Sequence, residues 1–439
     1  MKELSISVEI RFQFSEESLT LSGLIVGISR SLPDIGKALM QTIMRALEEK
    51  AIAFYQQKSP GRYARNGHES KERRFRTSFG TVSYRYAQLL NVVTKKSFSP
   101  LRRALPFEPY KHYQKEALKA PINLAIHMSY QKASSEYSAI LPAEVSKSTL
   151  WRHLHHFSDQ MNGWPNLKKI PYRFLMVDGT GVTLMDHRKV TLGKAQLRFA
   201  LASLGPGTRF DPVGFWLNRN WESISRDLHK RLDYNQLEVL FSDGEPGIRD
   251  NLQAPGMRHQ RCQWHAKRDF QFILYMDGLK KPQQKPFLDF MKKIPAFSLN
   301  ATTLETIKPS DVDKVKELAE KTKQDLKKLL QMLDANRYPK ARAYVKHLAH
   351  SVDTFFAYWL ENKTWIPLTT NAIESAFSRF TNRIKFIGKR WTEKGLFGWL
   401  NFAVKKIFFP DAWDKLWEQF LQINHAPKMI FLKTSFAWL

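Results

Sequence analysis

Residues 172–217 hold three strongly apolar runs close together, and this density of strand-forming sequence most constrains the fold. The first, YRFLMVDGTGVTLM over residues 172–185, is a strand pattern interrupted by one charge, Asp178. Residues 190–204 and 210–217 supply two more strands. A helical pattern over residues 221–232 and an apolar strand over residues 237–241 follow, ending in Ser242-Asp243-Gly244. Strands followed by a helix and a further strand predict a mixed β/α unit.

Two carboxylates stand out in that unit. A charge inside an apolar strand, as at Asp178, is costly to desolvate unless a partner or a metal offsets it. Asp243 falls just past the carboxyl end of a buried strand, where open α/β sheets place functional groups. Asp-Gly is also an ordinary turn, and that reading stays open. Two acids at strand ends of one sheet are most economically explained as a hard-cation site.

A third acid lies further on. Residues 367–391, PLTTNAIESAFSRFTNRIKFIGKRW, read as an amphipathic helix with Glu374 as its one acid, followed only by basic charge until Glu393. Asn371-x-x-Glu374 fits a capping box. A carboxylate has two oxygens, so Glu374 can cap and ligate together, with Asn371 fixing its rotamer. Arg379, Arg383, Lys385, Lys389 and Arg390 then face a phosphate backbone. Three carboxylates beside a basic face are what two-metal phosphoryl transfer requires, with two Mg²⁺ or Mn²⁺ ions on oxygen ligands.

Residues 256–269, GMRHQRCQWHAKRD, place Cys262 and His265 at C-x-x-H spacing. The spacing invites zinc, but a structural zinc needs four ligands and no second pair lies at a fitting distance. The better reading is a buried Cys and a His that braces the active-site loop. Residues 272–361 are helical and Lys-rich, clearest over residues 314–333, with a loop expected within residues 298–313. They read as an all-α insertion into the mixed domain. Trp359 and Trp365 near its exit belong to the core or stack on a base.

The whole chain of 439 residues carries a formal charge of +28 with 43% hydrophobic residues. That is a folded protein whose charge favours a polyanion, nucleic acid first and anionic membrane second. Residues 58–103 hold twelve Lys and Arg against Glu69 and Glu72 only. The single cysteine excludes an internal disulfide framework and fits a reducing compartment, so a cytoplasmic location is expected. The apolar run over residues 19–28 is too short for a membrane span and reads as core.

Upstream, residues 5–14 alternate as a strand would. Residues 33–55 are helical, with Ile35, Leu39, Ile43, Leu47 and Ile52 on one side. Residues 73–90 predict a β-hairpin turning near Gly80. Its Arg73, Arg74, Arg76 and Arg85 suit phosphate contact or form a solvated face. Residues 115–157 read as short helices. The last is capped by Ser146 and buries Leu150, Leu154 and Phe157, while Lys147, Ser148, Arg152 and His153 point outward. That is the shape of a helix-turn-helix reader, though a small helical bundle produces the same pattern. His153, His155 and His156 read as solvated or phosphate-contacting.

In order, VDGT around Asp178, SDGEPG around Asp243, RCQWH, a long helical stretch and TTNAIESAFSRFTNRIK around Glu374 resemble the DDE transposases of the Mutator-like superfamily and related prokaryotic insertion sequences. The resemblance spans roughly residues 172–408. It implies an α/β fold, an RNase H-like mixed sheet interrupted by an all-α insertion, preceded by an N-terminal basic β-hairpin and a helix-turn-helix-like DNA-binding region. The corresponding domains are residues 1–110, 111–168, 169–271, 272–362 and 363–439. It further implies Asp178, Asp243 and Glu374 as catalytic metal ligands, Cys262 and His265 as the family's supporting pair, and double-stranded DNA as partner, both terminal inverted repeats and target. Dimerisation on DNA is implied as well. A nuclease limited to hydrolysis and a catalytically silent DNA-binding protein are the alternatives. Residues 1–110 match no family pattern.

Overall fold

The computed structural model describes residues 4, 6, 9–11, 20–105, 113–140, 144–160, 164, 167–186, 191–245, 247–299, 308, 310–364, 366–387 and 391–421. The chain forms two compact units, Met1–Met161 with Asp411–Leu439, and Asn162–Pro410.

The first unit opens on α1 (Leu21–Lys58), whose first turn is capped by the Thr20 hydroxyl accepting from Gly23 N–H at 3.0 Å. This helix begins before the expected start at residue 33, with Pro33 inside it. The expectation that residues 19–28 are core is overturned, because Leu21, Ile25 and Ile28 are exposed; Leu19 lies outside the described residues. Most of the alternating segment 5–14 also lies outside them.

The expected hairpin is present as β2 (Arg73–Thr77) and β3 (Gly80–Tyr84), closing on the pair Thr77 and Gly80. Gly80 has φ +102°, which the tight turn requires and which glycine alone adopts freely. A second sheet, not expected from the sequence, orders β1 (Tyr63–His68), β4 (Ala87–Asn91) and β5 (Lys96–Phe98) as β1-β4-β5. Beyond the short helix α2 (Pro100–Ala104) come α3 (Lys119–His127), α4 (Tyr130–Ile140) and α5 (Lys147–Gln160). Ser146 caps α5 by accepting from Thr149 N–H at 3.2 Å, and Leu150, Leu154 and Phe157 are buried as their spacing predicts.

The second unit is mixed α/β around a five-stranded sheet ordered β10-β9-β6-β7-β8. The strands are β6 (Phe174–Met185), β7 (Thr191–Ser203), β8 (Asp211–Leu217), β9 (Val239–Ser242) and β10 (Arg258–Arg261). β6, β7 and β8 pair antiparallel; β9 and β10 run parallel to β6. Between β8 and β9 lies α6 (Trp221–Arg231), capped by the Asn220 side chain accepting from Ser223 N–H at 2.9 Å. Its Glu222 opens the helix and His229, Lys230 and Arg231 close it, which suits the helix dipole.

One sheet face, with Leu175, Val177, Ala200 and Leu240, packs on α6 and α7 (Ile248–Leu252). A separate core belongs to the helical stretch: α8 (Gln263–Met276), α9 (Lys281–Lys293), α10 (Pro295–Ser298), α11 (Val312–Met332), α12 (Pro339–His350) and α13 (Ala357–Asn362). Trp359 is 2% exposed in that core, while Trp365 lies outside the described residues. The unit continues through α14 (Asn371–Thr381) and α15 (Glu393–Phe408). Among the described residues no helix is long and apolar enough to cross a membrane.

Candidate active site

β6 and β9 pair Phe174 with Val239, Leu175 with Leu240 and Met176 with Phe241. Carried two residues further, this register sets Asp178 level with Asp243, which directly follows β9. Side chains alternate across a sheet, so residues level on adjacent strands share a face. Leu175, Val177 and Leu240 take the face under α6 and α7, which leaves Asp178 and Asp243 on the opposite one.

The helix carrying Glu374 lies over that second face. Phe199 on β7 stands opposite Asp178 and packs against Phe377 and Phe380 of α14, with ring centroids 5.8 Å apart in both cases. Glu374 is one helical turn before Phe377, on the same side of α14.

Asp178 is buried and accepts from Gly179 N–H at 2.6 Å. Burial, then the Asp243 charge and more weakly that of Glu374, push its carboxyl up to about 7 against the pull of the Gly179 N–H. Burial likewise raises the Asp243 carboxyl, although Glu245 N–H donates to it at 2.8 Å. Glu374 Oε1 is buried with no hydrogen-bond partner. The turn after Asp243 requires glycine: Gly244 has φ +92°, and a Cβ there would meet Arg261 Nε at 2.6 Å.

Cys262 and His265 act on one residue, Thr370. Cys262 caps α8 and accepts from Thr370 N–H at 3.3 Å through its sulfur, while His265 Nδ1 meets Thr370 Oγ1 at 3.3 Å. Gln263 N–H donates to the Leu368 carbonyl at 3.0 Å. The C-x-x-H turn therefore grips the backbone immediately before α14 and sets where Glu374 begins. His265 Nε2 lies 3.6 Å from Glu374 Oε1. Burial and the Arg268 charge favour the neutral imidazole, so this contact is polar and not a charged pair.

The capping-box expectation needs correction. Thr370, not Asn371, is the N-cap, Asn371 is exposed as the first helical residue, and no hydrogen bond joins it to Glu374. The carboxylate is thereby left unoccupied by its own helix.

The basic residues separate into two groups. Arg383 is corrected from a DNA contact to a core residue: it is 3% exposed, donates to the Ile387 carbonyl at 2.7 Å and sits 4.5 Å from the Trp391 ring centroid. Arg76 is likewise held inward, by Tyr113 and by the Glu144 carbonyl at 2.9 Å. Arg73 is half-buried beside Phe75, and Arg379 is exposed over the Phe408 ring. Arg74, Arg85, Lys147 and Arg152 are exposed. Lys385 is exposed and donates to Thr180 Oγ1 at 3.0 Å, two residues along β6 from Asp178 and on its face. Lys389 and Arg390 lie outside the described residues. Of the histidines expected to be solvated, His155 is buried and stacks on Trp151 at 4.5 Å.

Hard oxygen donors crowded together, with an orphaned buried carboxylate oxygen, suit a divalent cation in kind. They are not drawn into a closed shell: among the described residues no group of three or more His, Cys, Asp or Glu is gathered closely enough to hold a metal ion.

No family model matches the chain, and no curated protein matches it. Among solved structures, the Drosophila P element transposase strand transfer complex is similar at 13% identity over 74% of this chain and 83% of that one, with a TM-score of 0.26. A superposition that loose does not define a shared fold.

Proposed function

We propose that this chain is a DNA transposase of the DDE type, cleaving a phosphodiester and transferring the strand at transposon ends. The observation that carries the reading is the parallel register of β6 and β9, which levels Asp178 with Asp243 on the sheet face that α14 covers. An acid on the central strand, a second at the end of its parallel neighbour and a third on a helix across the face support an RNase H-like core. The residues between β10 and α14 support its interruption by an all-α insertion with its own core.

Asp178, Asp243 and Glu374 would hold two Mg²⁺ or Mn²⁺ ions, which when bound supply Lewis-acid stabilisation at the attacking and leaving oxygens. The protein's own part is placement. The Cys262 and His265 grip on Thr370 fixes the start of α14, burial keeps competing water from the acids, and Lys385 stands beside Asp178 to meet a phosphate. Water as attacking group gives a nick with a free 3′-OH; that hydroxyl attacking a second phosphodiester gives strand transfer.

The test is Mg²⁺-dependent cleavage of duplexes carrying the DNA that flanks the coding sequence. Asp178→Asn, Asp243→Asn and Glu374→Gln should each lose cleavage and keep DNA binding. Wild-type rates in Glu374→Gln would sink the triad. Supplying a 3′-OH end and a target plasmid separates transposition from hydrolysis alone, since only the former yields joined products. Binding without cleavage under any divalent cation would leave a silent DNA-binding protein.

A further inference from the structure

α8 carries an exposed stripe that the proposed chemistry does not use. Trp264, Phe272, Tyr275 and Met276 are 41%, 60%, 73% and 56% exposed, on the side opposite buried Ala266, Phe270 and Leu274. Arg268 stands between them, 4.9 Å from the Trp264 ring centroid and paired with Asp269 at 2.8 Å. At helical spacing residues 264, 268, 272 and 275 form one ridge, which spans ~16 Å from the first to the last.

The stripe is continuous with the acids. The Trp264 ring packs edge-on against His265 at 5.0 Å, and His265 in turn reaches Glu374 at 3.6 Å. Its composition decides the occupant. A helix face that docks a protein helix presents branched aliphatic residues, whereas this ridge presents three aromatic rings and a guanidinium, each with a flat face on which a base can stack. A chain of net charge +28 supplies the attraction for the attached phosphates.

We propose that this ridge stacks unpaired DNA bases of the strand whose phosphodiester lies at Asp178, Asp243 and Glu374, with Trp264 taking the base nearest the scissile bond. The inference rests on the phosphodiester chemistry proposed above. It makes the preferred substrate a duplex end that is frayed or tailed, because a paired end has no base free to leave the helix.

The experiment compares, for the full chain in EDTA, binding of a short duplex with binding of the same duplex bearing a short unpaired tail that contains 2-aminopurine. Wild type should favour the tailed DNA by at least about tenfold, with 2-aminopurine fluorescence quenched on binding. Trp264→Ala and Tyr275→Ala should bring the ratio close to one, and Trp264→Phe should keep most of it. An unchanged ratio in both alanine variants, no preference in wild type, or a change in self-association in place of the ratio would each overturn the proposal. Cleavage in Mg²⁺ is read separately. Cleavage without a tail preference sinks only the stacking ridge, and a tail preference without cleavage sinks only the chemistry assigned to the acids.

Discussion

Glu48 in the first unit and Asp178 in the second are buried almost equally, at 5% and 4% exposure, yet their surroundings are opposite. Both Glu48 oxygens are satisfied: Tyr84 OH donates to one at 2.8 Å and Ala87 N–H to the other at 2.9 Å. Its carboxylate ties α1 to β3 and β4. Asp178 accepts from its neighbour Gly179 N–H and otherwise faces two further acids. Burial therefore does not distinguish a structural acid from a functional one. The supply of donors does, because a buried carboxylate with its hydrogen bonds made is complete, whereas one set among like charges still needs a cation.

The comparison breaks most visibly in activity. Asn or Gln at any one of Asp178, Asp243 and Glu374 should lower Mg²⁺-dependent cleavage by at least about a thousandfold. Glu48→Gln should cleave at the wild-type rate per folded molecule. A large, rate-specific loss in Glu48→Gln would erase the distinction.

Stability should respond with opposite signs. The Asp178 carboxyl titrates at about 7 in the fold, well above its ordinary value, so the folded chain holds this proton more tightly than the unfolded one. Its contribution is whole below the ordinary carboxylate range and is lost as pH rises through 7. Denaturant melts in EDTA should show Asp178→Asn equal to wild type at pH 4 and more stable at pH 8, by up to about 4 kcal/mol. A difference independent of pH would remove the like-charge account. Glu48→Ala should instead destabilise, by about 2–3 kcal/mol, because it leaves Tyr84 OH and Ala87 N–H unpaired.

A smaller effect sharpens the role of the C-x-x-H turn. Thr370→Val keeps the backbone N–H that reaches Cys262 and removes the hydroxyl that meets His265. It should cost about 1–2 kcal/mol in stability. Cleavage should fall about 10–100-fold, with a higher Mg²⁺ requirement, as expected when support around metal-binding groups is loosened. Loss of stability with an unchanged Mg²⁺ titration would make the turn purely structural. The smallest change belongs to the exposed hairpin: Arg85→Ala should shift stability by less than about 0.5 kcal/mol. It should also lower the salt slope of DNA binding by about one.

Much of the second unit was legible in the chain because its signals are local. Period-two apolar runs located β6, β7, β8 and β9 within a few residues, and a charge inside one of them singled out Asp178. The strand β10 escaped, since Arg258–Arg261 contains no apolar residue and sits at the sheet edge. In the first unit the hairpin turn at Gly80 and the Ser146 cap were readable for the same local reason, while the β1-β4-β5 sheet was not.

What the sequence by itself determined was which residues form strands and helices, and which acids would be costly to bury. Only the tertiary structure decided the register that levels Asp178 with Asp243, the convergence of Cys262 and His265 on Thr370, and the inward turn of Arg383 between tryptophans. Local periodicity states which side of an element is apolar. It carries no information about which distant side chain arrives opposite, and an arginine destined for a tryptophan ring reads in sequence just like one destined for a phosphate.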